Sequence, residues 1–429
     1  TPAEPEKPTE SETPTEPEVS KNAAKIGEKE YPTVAAAMAD AQPGDTIELL
    51  KDITESVEVR VTKNFEGELT IDLNKYSIDG DSHQCIWRTY RTNCWPQKLI
   101  VKNGTLKNAG SGSAIWWKGD LEVVNCRFEK NQGGAIQSRS GNTTIVNSTF
   151  EENQSGNAAG AAIQLAKNAE CTITGSDFSG NATNNMGGAV YVDHGTLDIT
   201  DCTFEKNSAG FGGAIAVNEI KELTIGNNTN CLDNKAASGG GAIYANIATN
   251  INIVANSALC NNIASGYGGG IYASASNINI AANSAVYNNT AATAGDDLFF
   301  FNNSTFTLPN AKDMSGDRVL SSDKLEITGW YHDGWNKWNA AQGVSEPIGR
   351  WTAKTADGYI DEYTPVEKDT PYITLKAAHP LMYTLTYDVT GDLPEGYTAP
   401  AKQTLVKGSS YTVAEVPASV SGSKDGVNG

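Results

Sequence analysis

The sequence is short of almost everything that marks a membrane span, a metal centre or a nucleic-acid binder. No run of about 18 apolar residues occurs, so no helical passage through a membrane is expected. Only 4 histidines are present, His83, His194, His332 and His379, and their spacing is not that of metal ligands. The 7 cysteines make no CxxC pair and no dense framework, which argues against a structural zinc site. The GGxGxDxUx nonapeptide of calcium-binding rolls is missing as well, so neither metal nor cofactor is expected. Positive charge is scarce: 32 basic residues face 51 acidic ones, a net charge of −19. A field of that sign repels nucleic acid and anionic lipid, leaving neutral, locally basic or glycan partners.

What the chain does have is length, glycine and repetition. Its 429 residues exceed one ordinary compact core, which implies several domains or an elongated repeat. The 42 glycines suit many short strands better than long helices. Residues 1–24 are mostly Pro, Glu, Thr and Ser with almost nothing to bury, the composition of a disordered or extended linker. A short helix is expected over about 32–41, with Pro32 in its first turn and Pro43-Gly44-Asp45 as its stop, followed by a strand over 46–50. The chain opens at Thr1 without methionine or signal peptide and closes at Gly429 without a sorting motif, so both are expected to be cut ends.

The informative stretch is 98–305. Aligned on LxIxxxxF…N…GGAI it falls into eight units, with asparagines at 108, 131, 153, 181, 207, 234, 262 and 289 and gaps of 22 to 28 residues. Each unit adds a glycine and, three residues later, a branched aliphatic: Ile115, Ile136, Ile163, Val190, Ile215, Ile243, Ile271 and Leu298. An earlier aliphatic series runs Ile100, Val123, Ile145, Ile173, Ile199, Ile225, Ile253 and Ile280. Apolar and polar positions alternate with the strand period, and a unit this small cannot bury its own apolar face. Stacking is the only solution. The fold expected is all-β, a right-handed parallel β-helix over 25–305 with an N-terminal capping helix. Glycines would occupy its corners and a ladder of asparagine amides would satisfy itself inside. Residues 306–380 are read as a C-terminal β cap and 381–429 as a truncated stalk-like module. Asp296 and Asp297, which replace the usual Gly-Ala in the last unit, read as an end-cap feature.

Two stretches could recognise a ligand. The first is the loop 79–97, which gathers Trp87, Arg88, Tyr90, Arg91 and Trp95, residue types that dominate interface hot spots. Cys85 and Cys94 bracket it, and a disulfide there would hold it; the alternative is that the tryptophans cover the coil's flank and the thiols stay free. The second is the residue after each inward aliphatic, which should point outward: Trp116, Gln137, Gln164, Tyr191, Ala216, Tyr244, Tyr272 and Phe299. Such a row could stack on sugars or accept a protein, or it could be ordinary strand-forming sequence. For catalysis the best group is Asp193, His194 and Glu219, since glycoside cleavage needs paired carboxylates and a lyase needs a base. Asp-His-Gly is equally a turn, and that reading is preferred.

The segments CTFEKNSAGFGGAIAV (202–217) and STFEENQ (148–154) resemble the GGAI repeats of bacterial polymorphic outer-membrane proteins and related β-helix adhesins. The tail 381–429 resembles the Listeria–Bacteroides type of repeat, which forms stalk-like β modules. Together these resemblances imply an extracellular, multidomain bacterial protein, displayed on the cell surface or attached to the cell wall. The expectation is a monomeric, non-enzymatic adhesin fragment that binds a host surface or secreted protein, or a host glycan. A polysaccharide lyase or glycoside hydrolase is the second reading and a structural spacer the third.

Overall fold

The computed structural model describes residues 21–307 except 62–64, 89–93, 111, 255, 282–283 and 303, together with the strands Gly329–His332, Tyr372–Ala378, Met382–Leu385 and Gln403–Val406. Residues 1–20 and most of the sequence beyond 307 lie outside the described residues, and the expected linker 1–24 ends differently from its reading, with Ala23 and Ala24 buried and Ala24 already in a strand. Short strands pair in parallel from one repeat to the next, and the architecture is the right-handed parallel β-helix expected. The chain divides into two compact units, Thr1–Asn185 with Ala189–Thr196 and Met186–Gly188 with Leu197–Gly429.

The first unit opens on an antiparallel hairpin, Ala24–Ile26 with Lys29–Tyr31, whose first strand also pairs with Thr46–Leu49. The helix between them spans Val34–Asp40, two residues later than expected. Its start is set by Thr33, whose Oγ1 accepts from the Ala36 N–H at 3.1 Å. Pro32 therefore precedes the cap instead of filling the first turn. The helix buries Val34, Ala37 and Met38, the apolar side that covers the first strands. From Thr46 onward each turn feeds three parallel ladders. One runs through Glu68–Asp72, Lys98–Lys107, Asp120–Glu129 and Thr143–Val146, another through Val57–Val59, Ile86–Arg88, Ile115–Trp117 and Ile136–Ser138. The third aligns Ile78, Leu106, Phe128, Phe150 and Phe178 inward. The last three rings stack at 4.8 and 4.7 Å with planes 2° apart, which is the rung spacing of a β-ladder.

In the second unit the corresponding inward column is Phe204, Cys231, Leu259 and Val286. Buried cysteine there is a small apolar filler, and burial pushes the neighbouring Cys260 thiol up to about 12. A further ladder joins Ser208–Phe211, Lys235–Gly239, Ile263–Ala264 and Thr290–Ala291. The corner before each inward aliphatic needs glycine for two reasons. At Gly240, φ is +68° and an added Cβ would sit 2.3 Å from the Ile243 carbonyl oxygen.

The asparagine ladder forms inside both units. Asn131 and Asn153 each donate from backbone N and from Nδ2 to Oδ1 of the next asparagine, at 2.8 to 3.2 Å. Asn207, Asn234 and Asn262 do the same at 2.8 to 3.0 Å. The second Nδ2 hydrogen goes to a carbonyl, Leu106 for Asn131 and Phe204 for Asn234. The side-chain amides of Asn131 and Asn234 are thus fully paired inside the coil. The first unit of the alignment is shifted by one residue, however. Asn108 occupies an exposed left-handed corner at φ +56°, and Ala109 takes the ladder position, its N–H donating to Asn131. Likewise Val101, not Ile100, stacks inward with Val123.

The coil closes on two aspartates. Asp297 Oδ1 accepts from Asn289 N and Nδ2 at 3.0 and 2.8 Å, standing in for the next asparagine. Asp296 Oδ1 caps the neighbouring ladder by accepting from Ala291 N at 2.9 Å. The final rung, Leu298–Phe301, pairs antiparallel with Tyr372–Ala378, which pairs in turn with Gly329–His332.

Candidate recognition surface

The outward column exists in both units. In the first it aligns Glu58, Trp87, Trp116, Gln137 and Gln164 rung by rung. The Gln137 amide donates to Gln164. Tyr191 lies in the same unit, half-buried on Val190–Thr200. Trp87 and Trp116 are also half-buried.

This arrangement revises the reading of 79–97. Ile86–Arg88 is a strand of the coil and not part of a projecting loop. Alternation from inward Ile86 turns Trp87 outward and Arg88 inward. Arg88 is only 8 % exposed, its guanidinium lies 3.3 Å from the centroid of the Trp95 ring, and it donates to the Lys118 carbonyl. Buried Arg88 and half-buried Trp95 form a cation–π pair, so the Arg88 guanidinium is engaged within the coil. Tyr90 and Arg91 lie outside the described residues. Cys85 and Cys94 are free thiols, contrary to the disulfide considered. The Cys85 Sγ instead contacts the carbonyls of Ile78 and Lys107 inside the coil, where burial pushes it up to about 12.

The second unit assembles more aromatic surface than the column alone predicts. Ala216, Tyr244, Tyr272 and Phe299 align, with Tyr244–Tyr272 rings 5.0 Å apart and Tyr272–Phe299 rings 5.1 Å apart, both tilted by 18°. Phe211 joins from the adjoining ladder, 5.0 Å from Tyr244, and Tyr267 lies 4.7 Å from Phe299. These two were missed in the sequence, although both directly precede a corner glycine, Gly212 and Gly268. Gly239 makes room for the cluster: a Cβ there would come within 3.1 Å of the Tyr272 ring. Phe299 is buried, while Phe211, Tyr244, Tyr267 and Tyr272 are half-buried. Burial pushes the Tyr272 phenol up to about 12 and that of Tyr244 in the same direction. Both therefore keep their protons and can donate hydrogen bonds. Stacking along the ladder uses the ring faces, so each tyrosine offers its edge and hydroxyl outward. Asn218 and Asn246 flank the tyrosines with a 2.8 Å amide contact.

The residues considered for catalysis are placed less tightly. His194 Nδ1 lies 3.0 Å from Asp193 Oδ1, with both side chains about one-third exposed. His194 sits at φ +63°, the left-handed conformation of a turn. Glu219 belongs to the other unit, at an exposed corner with φ +50°. Among the described residues no group of three or more His, Cys, Asp or Glu side chains is arranged to hold a metal ion. No described helix is long and apolar enough to cross a membrane.

Comparison with known families agrees with this geometry. A family model for the right handed beta helix region matches residues 64–204. The repeat of the Chlamydia polymorphic membrane protein matches residues 201–218. Comparisons with curated proteins and with solved structures give no match.

Proposed function

We propose that this protein is a surface-displayed bacterial adhesin whose β-helix holds a recognition face toward a host protein or glycan, without catalysis. The observation that carries this reading is the aromatic cluster around Tyr244 and Tyr272, left half-exposed on a frame that does not require it. Ala216 occupies the same column, so the backbone is satisfied by a methyl group. Tyrosine, tryptophan and phenylalanine in a partly desolvated cluster are the side chains that concentrate binding energy. The likeness to polymorphic membrane protein repeats and the strongly acidic composition support display outside the cell.

The test is binding of the full chain to an array of host glycans and secreted host proteins, beside Tyr244→Ala/Tyr272→Ala and Trp87→Ala/Trp116→Ala variants. Saturable binding lost in one variant establishes recognition and assigns it to a unit. Equal binding by all three proteins removes the aromatic column from the explanation. No binding by the wild type overturns the reading and leaves a spacer role ahead of it.

A further inference from the structure

The Asp296–Lys376 contact at the end of the coil has features that an ordinary ion pair does not need. Asp296 is 2 % exposed, and its two carboxylate oxygens face different partners. Oδ1 accepts from the Ala291 N–H at 2.9 Å, while Oδ2 lies 2.8 Å from Lys376 Nζ. The lysine side chain is itself largely covered, 20 % exposed. Neighbouring bonds clamp both residues: Asp297 N donates to the Leu375 carbonyl at 3.1 Å, and Ala377 N donates to Asp297 Oδ2 at 2.7 Å. The amine is therefore held against one side of a carboxyl group whose other oxygen is already fixed by a backbone donor.

We infer that Asp296 and Lys376 are joined by an intramolecular isopeptide bond that locks the closing strand Tyr372–Ala378 onto the last turn of the coil. The step begins with transfer of a proton from Nζ to Oδ2 across the 2.8 Å contact, giving amine and acid. The Nζ lone pair attacks Cγ. Negative charge develops on Oδ1, where the Ala291 N–H is already aimed, an oxyanion-hole arrangement. The Cγ–Oδ2 bond breaks and Oδ2 leaves as water, carrying the first proton and a second one from Nζ. An ammonium and a carboxylate become one amide and one water, with no oxidant or other reactant needed. Fixed placement supplies the drive, since well-oriented intramolecular pairs reach effective molarities of roughly 10⁵ M or more.

Asp297 is a positioning group beside this pair, since its Oδ2 accepts from the N–H of Ala377, the residue after Lys376. It is fully buried, adjacent in the chain, and electrostatically coupled to Lys376. Burial pushes its carboxyl up to about 7, so it gains and loses a proton near neutrality. The position of Asp296 in the preceding turn is Gly269, where an added Cβ would lie 2.3 Å from the Asp296 carbonyl oxygen.

The experiment is the intact mass of the full chain, followed by proteolysis and peptide sequencing by mass spectrometry. The wild type is expected one water lighter than its sequence, with a branched peptide that joins the segments around Asp296 and Lys376. Asp296→Ala and Lys376→Arg are expected at their full sequence masses; Lys376→Arg keeps the ion pair and so preserves the fold of the cap. In Asp297→Asn the branched peptide is expected to form roughly a hundredfold more slowly, followed by intact mass from the time of synthesis. A wild type at its full sequence mass overturns the inference. A mass one water short without that branched peptide overturns it too, because a cyclised aspartate elsewhere gives the same loss.

Discussion

The same rung repeat builds two kinds of column, one inside the coil and one outside, and they obey opposite rules. Inside, Asn207, Asn234, Asn262 and Asn289 repeat the same residue because each amide must donate to a carbonyl and to the next amide while accepting from the one before. Outside, Trp116, Gln137 and Gln164 in one unit, and Ala216, Tyr244, Tyr272 and Phe299 in the other, share a backbone position and little else. A buried amide with a missing partner is costly, whereas an outward side chain leaves no orphan behind. The fold therefore fixes the inner column and leaves the outer one free to vary.

The largest break in this contrast is expected from Asn234→Ala. It removes the acceptor of Asn207 N and Nδ2 and the donor to the Phe204 carbonyl, stranding buried groups on both sides. The loss should be on the order of 3–5 kcal/mol, read by chemical denaturation. A loss below about 1 kcal/mol would mean that water or a shifted rung replaces the amide.

Next comes the carboxylate that ends the inner column. Burial raises the Asp297 carboxyl from 3.8 to about 7. A raised value means that its contribution to stability is present below pH 3.8 and is lost as pH rises through about 7. Asp297→Asn keeps an oxygen for Asn289 and removes the titration, though it sets an amide against the Ala377 N–H. The stability difference, wild type minus variant, should therefore shrink between pH 4 and pH 8. A difference that stays flat across that range would show that Asp297 is ionised throughout.

The outer column should respond in the opposite way. Replacing Tyr244 and Tyr272 together by alanine should cost only about 1–3 kcal/mol, from lost ring contacts, while saturable binding falls at least tenfold. If stability collapses as it does for Asn234→Ala, the aromatic cluster belongs to the framework and the contrast fails.

How far the columns were legible in the sequence follows from the same physics. From Asn131 onward the inner asparagines and inward aliphatics could be assigned because two periodic signals coincide in each unit. In the first unit they separate. Asn108 suits a left-handed corner as well as it suits a ladder, and Ile100 is as apolar as Val101, so the frame slipped by one residue. Arg88 was misread for a different reason: composition outweighed the alternation from Ile86, which already turned it inward. The end cap was legible only in part. Asp296 and Asp297 break the Gly-Ala pattern, but their partners Lys376 and Ala377 follow 80 residues later, and no local period links them.

The smallest effect is expected at Ile247, and its sign sharpens the comparison. Ile247 is 50 % exposed and holds φ at +54°, a conformation in which a β-branched side chain crowds its own backbone. The equivalent corners of the neighbouring turns carry Glu219, Ala275 and Asn302 at φ +50° to +51°. The conformation is thus imposed by the coil and tolerated by the residue. Ile247→Asn should relieve it, since asparagine adopts the left-handed region readily, and should stabilise the protein by about 1 kcal/mol. If instead stability is unchanged or falls, the exposed isoleucine makes contacts that offset its strain. If stability rises while binding by the Tyr244 face weakens, Ile247 extends the recognition surface, and its strain is tolerated there for that reason.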